Sequence, residues 1–596
     1  MKKLLLLSTF LLALSFNQYT SAQERYLDNI FEAVDVQSDI VYGNNVTVFP
    51  TLLGQSPTTQ DLLMDIYTPS GDTETNRPAV VLIHTGSFLP AILNGQATGS
   101  KTDNSIVEQC MQFAKKGYVA VAISYRLGWN ATSSSEDVRR RTLIQAALRG
   151  LQDTRTAVRF LRKSVEDGNP YGLSCQIAVG GLGTGAYVSL AAATLNDYDT
   201  ELTLPKFMDT SMDIDGDGIN DAVPYIIQEF MGDLNGETMG VLPQLDLDGD
   251  GNADATNVTL SMPNHVGYSS AIDMVFNIGG ALPDSSWIDA GEVPIASMQC
   301  YLDEDAPYEV GNVIVPTTNE IVIEGHGSQV IQRLSTTYGN NEVFNGLSME
   351  INDSWYGNGD GAANSALQVQ AVNMFGSPLF DDDGNPIWEF PGHEVYPGLF
   401  PIVAPTGDEL SAEDCNNCGQ AASSCLFPWG EQGAPWDWWN NDPNDPLAYP
   451  LAATQNPLAP PGISAETYAC QSTTGNPDMS EAKGMAYANM IQEFICARIY
   501  AALDLGTNSC RMLIARPTGP RFEIVDAFSK SVRLGLDLER TGELSQAGIT
   551  RALQALHVCS KKLKRFNVKR SRLVATEACR RSKNGKKFLD KVKRDT

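Results

Sequence analysis

The chain has 596 residues, 42 of them basic and 71 acidic, for a formal net charge of −29. That length exceeds what one small core organises, so more than one module is expected. The acidic average excludes a nucleic-acid surface spread along the whole chain, and no specific nucleic-acid partner is expected. It also hides a break: residues 501–596 carry 22 Lys and Arg against 9 Asp and Glu, net +13, while the preceding 500 are net −42. Opposite charge in two stretches marks separate modules.

At the start, Lys2 and Lys3 precede a mostly apolar run, 4–16, and Thr20-Ser21-Ala22 provides a small-residue cleavage site before Gln23. This is the pattern of an export signal over residues 1–22, its apolar core short for a membrane span. The expected location is secreted, periplasmic or cell surface, with no membrane span after signal removal. Export permits disulfides among the eight cysteines that precede the charge break, Cys110, Cys175, Cys300, Cys415, Cys418, Cys425, Cys470 and Cys496. Cys415, Cys418 and Cys425 have no histidine nearby and read as a disulfide-stapled loop rather than a metal knuckle.

The run 61–67 alternates loosely and predicts a strand. Runs 78–84 and 117–125 are apolar almost throughout, as buried parallel strands are. Between 143 and 163 the apolar residues Leu148, Leu151, Val158 and Leu161 recur at helical spacing. Strand 176–179 then enters a glycine cluster, 180–185, and a small-residue helix, 186–193, leaves it. Later strands are expected at 271–278, 293–298 and 320–325, the last of them closing the sheet, and a closing helix at 485–498. Strand, helix and strand in this order predict a parallel sheet covered by helices.

Long acidic insertions interrupt that pattern. Within about 209–256, Asp213, Asp215, Asp217 and Asp221 recur in one short glycine-containing loop, and Asp246, Asp248, Asp250 and Asp254 repeat the spacing. Alternating carboxylates on a tight turn supply the oxygen ligands that Ca²⁺ prefers, so two structural Ca²⁺ sites are expected. A Trp-rich loop, about 425–450, holds Trp429, Trp436, Trp438 and Trp439. It reads either as a loop pinned to the body or as a grip for a small-molecule, carbohydrate or polymer ligand.

Strand, sharp glycine turn and helix form the nucleophile elbow of an α/β-hydrolase, whose pattern is Gly-x-Ser-x-Gly. Here it reads Gly181-Leu182-Gly183-Thr184-Gly185, so Gly183 occupies the nucleophile position and carries no hydroxyl. Thr184, Ser87 and Ser189 lie off that position. The segment 61–330 resembles secreted α/β-hydrolases of the esterase/lipase type. The resemblance implies an oxyanion loop at Thr85 and Gly86. It also implies the triad acid at Asp303, in the Asp-x-x-x-Pro-Tyr stretch ending at Pro307-Tyr308, where Gln299-Cys300 replaces the usual His-Gly. The base is then His326, on the loop expected after the last strand, with His393 second. Without the serine, the hydrolase mechanism lacks its activated hydroxyl. The domain 23–499 is therefore expected to be an esterase-like scaffold that is weak or inactive toward esters, or a non-catalytic calcium-stabilised binding protein.

After Tyr500 a strand carrying Asp504 leads into a turn with Gly506, Thr507, Asn508 and Ser509, and Arg511 follows on a returning strand. Backbone N–H groups of such a turn cradle phosphate. With Phe528-Ser529, Val532-Arg533-Leu534-Gly535, Thr541-Gly542 and Thr576-Glu577-Ala578, this stretch resembles the Ppx/GppA exopolyphosphatase and guanosine-pentaphosphate phosphatase family. The resemblance implies a partial actin-like ATPase (ribonuclease H-like) α/β lobe, phosphate or polyanion as partner, Mg²⁺ near Asp504, and phosphoanhydride hydrolysis as an alternative function. Members of that family continue with a catalytic glutamate and a second phosphate loop. The segment 500–596 is therefore read as a truncated lobe without activity, joined to the body near Tyr500.

Overall fold

The central sheet forms where the sequence is most continuously apolar. In the computed structural model its strands are β1 (Val34–Thr47), β2 (Thr58–Pro69), β3 (Arg77–Ile83), β4 (Val119–Ile123), β5 (Leu173–Leu182), β6 (Met274–Ile278), β7 (Ile295–Cys300) and β8 (Leu399–Ile402). Their order across the sheet is β1-β2-β4-β3-β5-β6-β7-β8. β1 and β2 run antiparallel at one edge, and every neighbour pair from β4 onward is parallel. The structure describes residues 25–595 except 54, 95–97, 213–219, 244–256, 302, 304, 316–319, 346, 348–368, 371–378, 382–383, 385–386, 390–393, 403–436, 441, 446–447, 449–453, 455–461, 463, 476–480, 497–501, 506–508, 519–520, 533, 535–537, 566–571 and 576–581.

Strand alternation divides the core between the two faces. Ala79, Val81 and Ile83 point to one face, against Leu151, Val158 and Leu161 of α2 (Glu136–Glu166) and Val188 and Leu190 of α3 (Thr184–Thr194). Val80 and Leu82 point to the other, against Ile106 and Phe113 of α1 (Asn104–Lys115) and Ile491 and Phe494 of α5 (Glu481–Cys496). With helices on both sides, β3 and β4 are buried at every position, and each fully buried Val, Leu or Ile contributes about 1.5–3 kcal/mol. This is a mixed α/β architecture, a central sheet with flanking helices, consistent with an α/β-hydrolase-like fold.

Two expectations change. Strand Glu320–His326 does not close the sheet: it pairs antiparallel with Val310–Val315 in a separate hairpin. The strand beside β7 is β8, so the chain returns to the sheet only at Leu399. Local apolarity makes 320–325 a strand but cannot name its neighbour. The cysteines also divide: Cys470 is disulfide-bonded, whereas Cys110, Cys300 and Cys496 are thiols, outside any disulfide, buried in the core on the α1 side. Cys415, Cys418 and Cys425 lie outside the described residues.

Beyond residue 501 a second sheet has β9 (Ala502–Leu505), β10 (Ser509–Thr518), β11 (Arg521–Ser531) and β12 (Arg572–Ala575), in the order β11-β10-β9-β12. Helices α6 (Gln546–Arg565) and α7 (Gly585–Asp595) accompany it, and Val532, Leu534, Ala552, Leu556 and Phe588 form a core of their own. Among the described residues no helix is long and apolar enough to cross a membrane.

Candidate functional site

Open α/β sheets bind ligands beyond the carboxyl ends of their parallel strands. There β5 runs through the glycine cluster into α3. A Cβ on Gly181 would stand 2.0 Å from the Gly185 carbonyl oxygen, and one on Gly185 would stand 2.2 Å from the Ile83 carbonyl oxygen. The helix therefore lies directly on the strand ends. Gly183 sits at the turn with φ 51° and ψ −119°, a conformation glycine adopts without a side-chain penalty. Its N–H donates to the Ile278 carbonyl at 2.9 Å, tying the turn to the end of β6.

The loop after β3 supplies what stands over this turn. Thr85 Oγ1 lies 2.2 Å from where a Cβ on residue 183 would be, and accepts from the Thr184 N–H at 3.4 Å. The Thr85 hydroxyl thus occupies the volume that a serine at the elbow would need. Gly86, with φ 117°, leaves room for the Gly99 backbone, and Asn94 Nδ2 donates to the Gly86, Leu89 and Thr98 carbonyls. Preceding them, His84 is buried and stacked on Tyr125 with ring centroids 4.6 Å apart. Its Nδ1–H donates to the Thr85 carbonyl at 2.6 Å, and burial holds the imidazole down at about 4, so it is neutral near pH 7.

Asp303 occupies the turn after β7, where its Oδ1 accepts from the Asp305 and Ala306 amides, both at 2.9 Å. Burial, then the neighbouring Asp305, raises its carboxyl well above the ordinary range. His326 ends the separate hairpin, and its Nδ1 accepts from the Ser285 N–H at 3.1 Å. Burial and then Lys206 lower its basicity. Among the described residues no hydrogen bond joins Asp303 to His326. His393 lies outside the described residues.

Sequence reasoning missed Gln299 as a brace. Its Nε2 donates to the Ala306 and Pro307 carbonyls at 2.8 and 3.1 Å, and its Oε1 accepts from the Ser328 N–H at 3.0 Å. It thereby joins the Asp303 turn to the start of α4 (Ser328–Thr337). Also missed was a buried acid pair. Asp103, at the start of α1, accepts from the Gly99 amide at 2.8 Å and the Ser100 amide at 3.0 Å, and burial, then Asp437, pushes it up to about 7. Asp437, from the Trp-rich loop, is pushed up to about 6 by burial and accepts from the Ser105 and Thr98 hydroxyls. Trp438 beside it is 5% exposed, so this part of the loop belongs to the core rather than to a free grip. Trp429 and Trp436 lie outside the described residues.

Of the acidic-loop residues only Asp221 is described. It opens strand Asp221–Pro224, which pairs with Met208–Met212 across the first loop; Gly240–Leu242 and Val258–Ser261 pair across the second. Asp213, Asp215, Asp217, Asp246, Asp248, Asp250 and Asp254 lie outside the described residues. Among the described residues no group of three His, Cys, Asp or Glu is placed to hold a metal. In the second sheet Asp504 on β9 stands opposite Arg511 on β10, and Ser509 begins β10. Gly506, Thr507 and Asn508 lie outside the described residues.

Comparison with known proteins finds two separate matches. A family model described as BD-FAE matches residues 64–224, and that of the Ppx/GppA phosphatase family matches residues 513–596. Esterase 2 of Thermogutta terrifontis is 17% identical over 47% of this chain and 74% of its own, with a TM-score of 0.25. The guanosine-5'-triphosphate,3'-diphosphate pyrophosphatase of Photobacterium profundum is 33% identical over 95 residues, 16% of this chain and 19% of that protein. A Haemophilus influenzae protein described as a putative exopolyphosphatase is 32% identical over 92 residues, 15% of this chain and 28% of that protein. An Aquifex aeolicus Ppx/GppA phosphatase structure is 36% identical over 16% of this chain and 32% of its own, with a TM-score of 0.16. The chain spans about a fifth of the first curated relative and just over a quarter of the second. It carries an α/β-hydrolase, esterase-like N-terminal region of the BD-FAE kind and a Ppx/GppA-like C-terminal segment, each matched at low identity or over a small share of the chain.

Proposed function

We propose that the esterase-like region, taken as residues 23–499 of an exported protein, binds a ligand without the serine-dependent hydrolysis of its fold. The observation that carries this reading is the Thr85 hydroxyl standing 2.2 Å from the Cβ position of residue 183. The turn thus lacks a nucleophile and is also filled. A second feature supports it: after β8, where the fold places the triad histidine, the sequence has no histidine before His557. In this reading Asp303 and His326 keep the acid and base positions of the resemblance only as structural residues. The test is stoichiometric labelling of the full chain by a fluorophosphonate. No labelling is expected; labelling lost in Thr85→Ala would make Thr85 a nucleophile and overturn the reading.

The hairpin loops at 213–221 and 246–254 are proposed as Ca²⁺ sites that stiffen the insertion. An antiparallel strand pair flanks each acidic stretch, which supports equal roles. Extracellular modules of this kind bind at roughly 10⁻⁴ to 10⁻³ M. Titration calorimetry is expected to detect two sites in that range, and no heat at millimolar calcium would remove the proposal. For the segment 500–596, the register of Asp504 against Arg511 beside the expected phosphate turn favours phosphate or polyanion binding, with Mg²⁺ near Asp504. Phosphoanhydride hydrolysis by this segment is the alternative function.

A further inference from the structure

Four arginines around α2 are almost wholly buried: Arg126 at 0%, Arg149 at 4%, Arg155 at 5% and Arg159 at 0% exposed. Burying a guanidinium is costly unless its donors are met. Three of the four satisfy that condition. Arg126 forms a close pair with Asp153, its Nε 2.9 Å from Oδ1, and also reaches the Val46 carbonyl and Gln152 Oε1. Arg155 donates to the Leu234, Ala192 and Leu195 carbonyls and to Asn235 Oδ1. Arg159 donates to the Asn264, Asn235 and Gly236 carbonyls and to Thr156 Oγ1.

Arg149 is the exception. Of the five N–H donors of its guanidinium, one meets the Gly128 carbonyl, and its buried Nε meets no partner among the described residues. Among the described residues no carboxylate is paired with it: Asp153, which faces the same region, is already committed to the Arg126 side chain and backbone N–H. Burial, then the neighbouring Arg126 charge, lowers Arg149 to about 9, which leaves it a cation near pH 7.

Its position ties it to the candidate site. Gly128, which it contacts, donates its N–H to the Phe88 carbonyl at 2.7 Å, and Trp129 Nε1 donates to the Ser87 carbonyl at 2.8 Å. Next along α2, Gly150 lies against Val188 and the Tyr125 ring. Arg149 is therefore linked through Gly128 and the adjoining Trp129 to the Gly86–Phe88 turn, which follows the Thr85 that stands against the Gly183 elbow. We infer that Arg149 is the anchor for a small monocarboxylate, which enters beside the Gly86–Phe88 turn and takes the guanidinium donors that the protein leaves unfilled. Charge selects that class. Arg126 and Arg149 against Asp153 leave one positive charge in excess, which a monoanion neutralises. A dianion such as hydrogen phosphate would instead bury a surplus negative charge. A planar carboxylate also matches a guanidinium edge. The inference rests on the non-hydrolytic reading in naming the ligand as an acid rather than an ester.

The test measures melting temperature for the full chain with acetate, butyrate or benzoate, against their methyl esters and inorganic phosphate. At 100-fold excess over Kd, a carboxylate is expected to raise melting by about 3–5 °C, with no rise from ester or phosphate. In Arg149→Met that rise disappears, while the ligand-free protein melts higher than wild type because an unpaired buried charge is gone. Arg149→Lys, which keeps the charge but not the planar fork, is expected to weaken carboxylate binding at least tenfold. No carboxylate effect on wild type, or a ligand-free Arg149→Met that melts lower with an unchanged carboxylate response, overturns the inference. A response to phosphate alone replaces the ligand class and overturns it as well. Ester turnover would instead overturn the non-hydrolytic reading, and carboxylate binding measured separately would survive it.

Discussion

At the scale of single residues the elbow contains glycines of two kinds. Gly181 and Gly185 are required because a Cβ at either would run into backbone, the Gly185 carbonyl at 2.0 Å or the Ile83 carbonyl at 2.2 Å. Backbone in a central sheet cannot move aside, so Gly185→Ala is expected to cost about 2–3 kcal/mol in urea denaturation. Gly183 differs, because the nearest obstacle is a side-chain hydroxyl, Thr85 Oγ1. Gly183→Ser alone is expected to destabilise through its positive φ and this clash together. Adding Thr85→Gly removes the clash and leaves the backbone cost of this sparsely populated conformation, about 1–3 kcal/mol. A double-mutant cycle should then give a coupling of about 1–3 kcal/mol between positions 85 and 183. Simple additivity would mean that Thr85 rotates away freely and does not fill the elbow.

At the scale of elements, what could be read from the sequence depended on how local its cause was. β3 and β4 were legible because helices cover both their faces, so every position from Pro78 to Ile83 and from Val119 to Ile123 is apolar. β1 was not: it is an edge strand with register shifts between Gln37 and Ile40 and between Val41 and Gly43, and these break its alternation. β8 is four residues long with a proline in it, and only its neighbour β7 identifies it. The burial of the polar stretch of α2 is likewise not a local property. The insertion covers that side, with Gln152 Nε2 donating to the Met231 and Asp233 carbonyls, so Arg155 and Arg159 are interior. Asp103 and Asp437 are far apart in the chain, and no spacing links them. The burial of both carboxyls, with Asp437 acting on Asp103, has a pH consequence. Both are raised in the folded state, to about 7 and about 6, from an unfolded value near 3.9. Between those values the native state holds more protons, so stability is fully present below about pH 4 and is lost as pH rises through about 6 to 7. Glu292, pushed up to about 8 by burial, acts in the same direction. Asp72, brought to about 2 by Arg25 and Arg77 against the opposing cost of burial, acts oppositely but only in acid. His84, held down at about 4 by burial, acts oppositely up to its unfolded value near 6.5. The melting temperature is therefore expected to fall from about pH 6.5 to pH 8, and the change from pH 5 to pH 8 should be less negative in Asp437→Asn than in wild type. Parallel profiles for the two proteins would count against the pair.

At the scale of the whole molecule the charge break and the packing coincide. The esterase-like region completes its second core with α5. Phe494 lies 4.8 Å from Phe400 of β8 and 5.0 Å from Phe344, ring centroid to ring centroid. Lys116 Nζ donates to Gln492 Oε1 at 3.1 Å, and Gln492 Nε2 donates to the Gln109 carbonyl at 3.3 Å, tying α5 back to α1. All of this precedes residue 500. The apolar cluster beyond it runs from Val532 to Val592 and includes no residue of the first two clusters. Cooperative unfolding follows shared buried surface, so two cores that share no residue are expected to unfold in separate steps. Calorimetry of residues 23–596 should resolve two transitions, and residues 23–499 should keep the first at the same temperature within about 2 °C. Ending the chain at residue 480 instead removes Tyr487, Ile491 and Phe494 from the core on the α1 side. Three large buried side chains are worth about 5–9 kcal/mol at the usual transfer cost, comparable with the stability of a whole domain. That shorter chain should therefore fail to show the first transition. If 23–499 also lacks it, the segment beyond Tyr500 is part of the body's fold, and the charge break does not separate two modules.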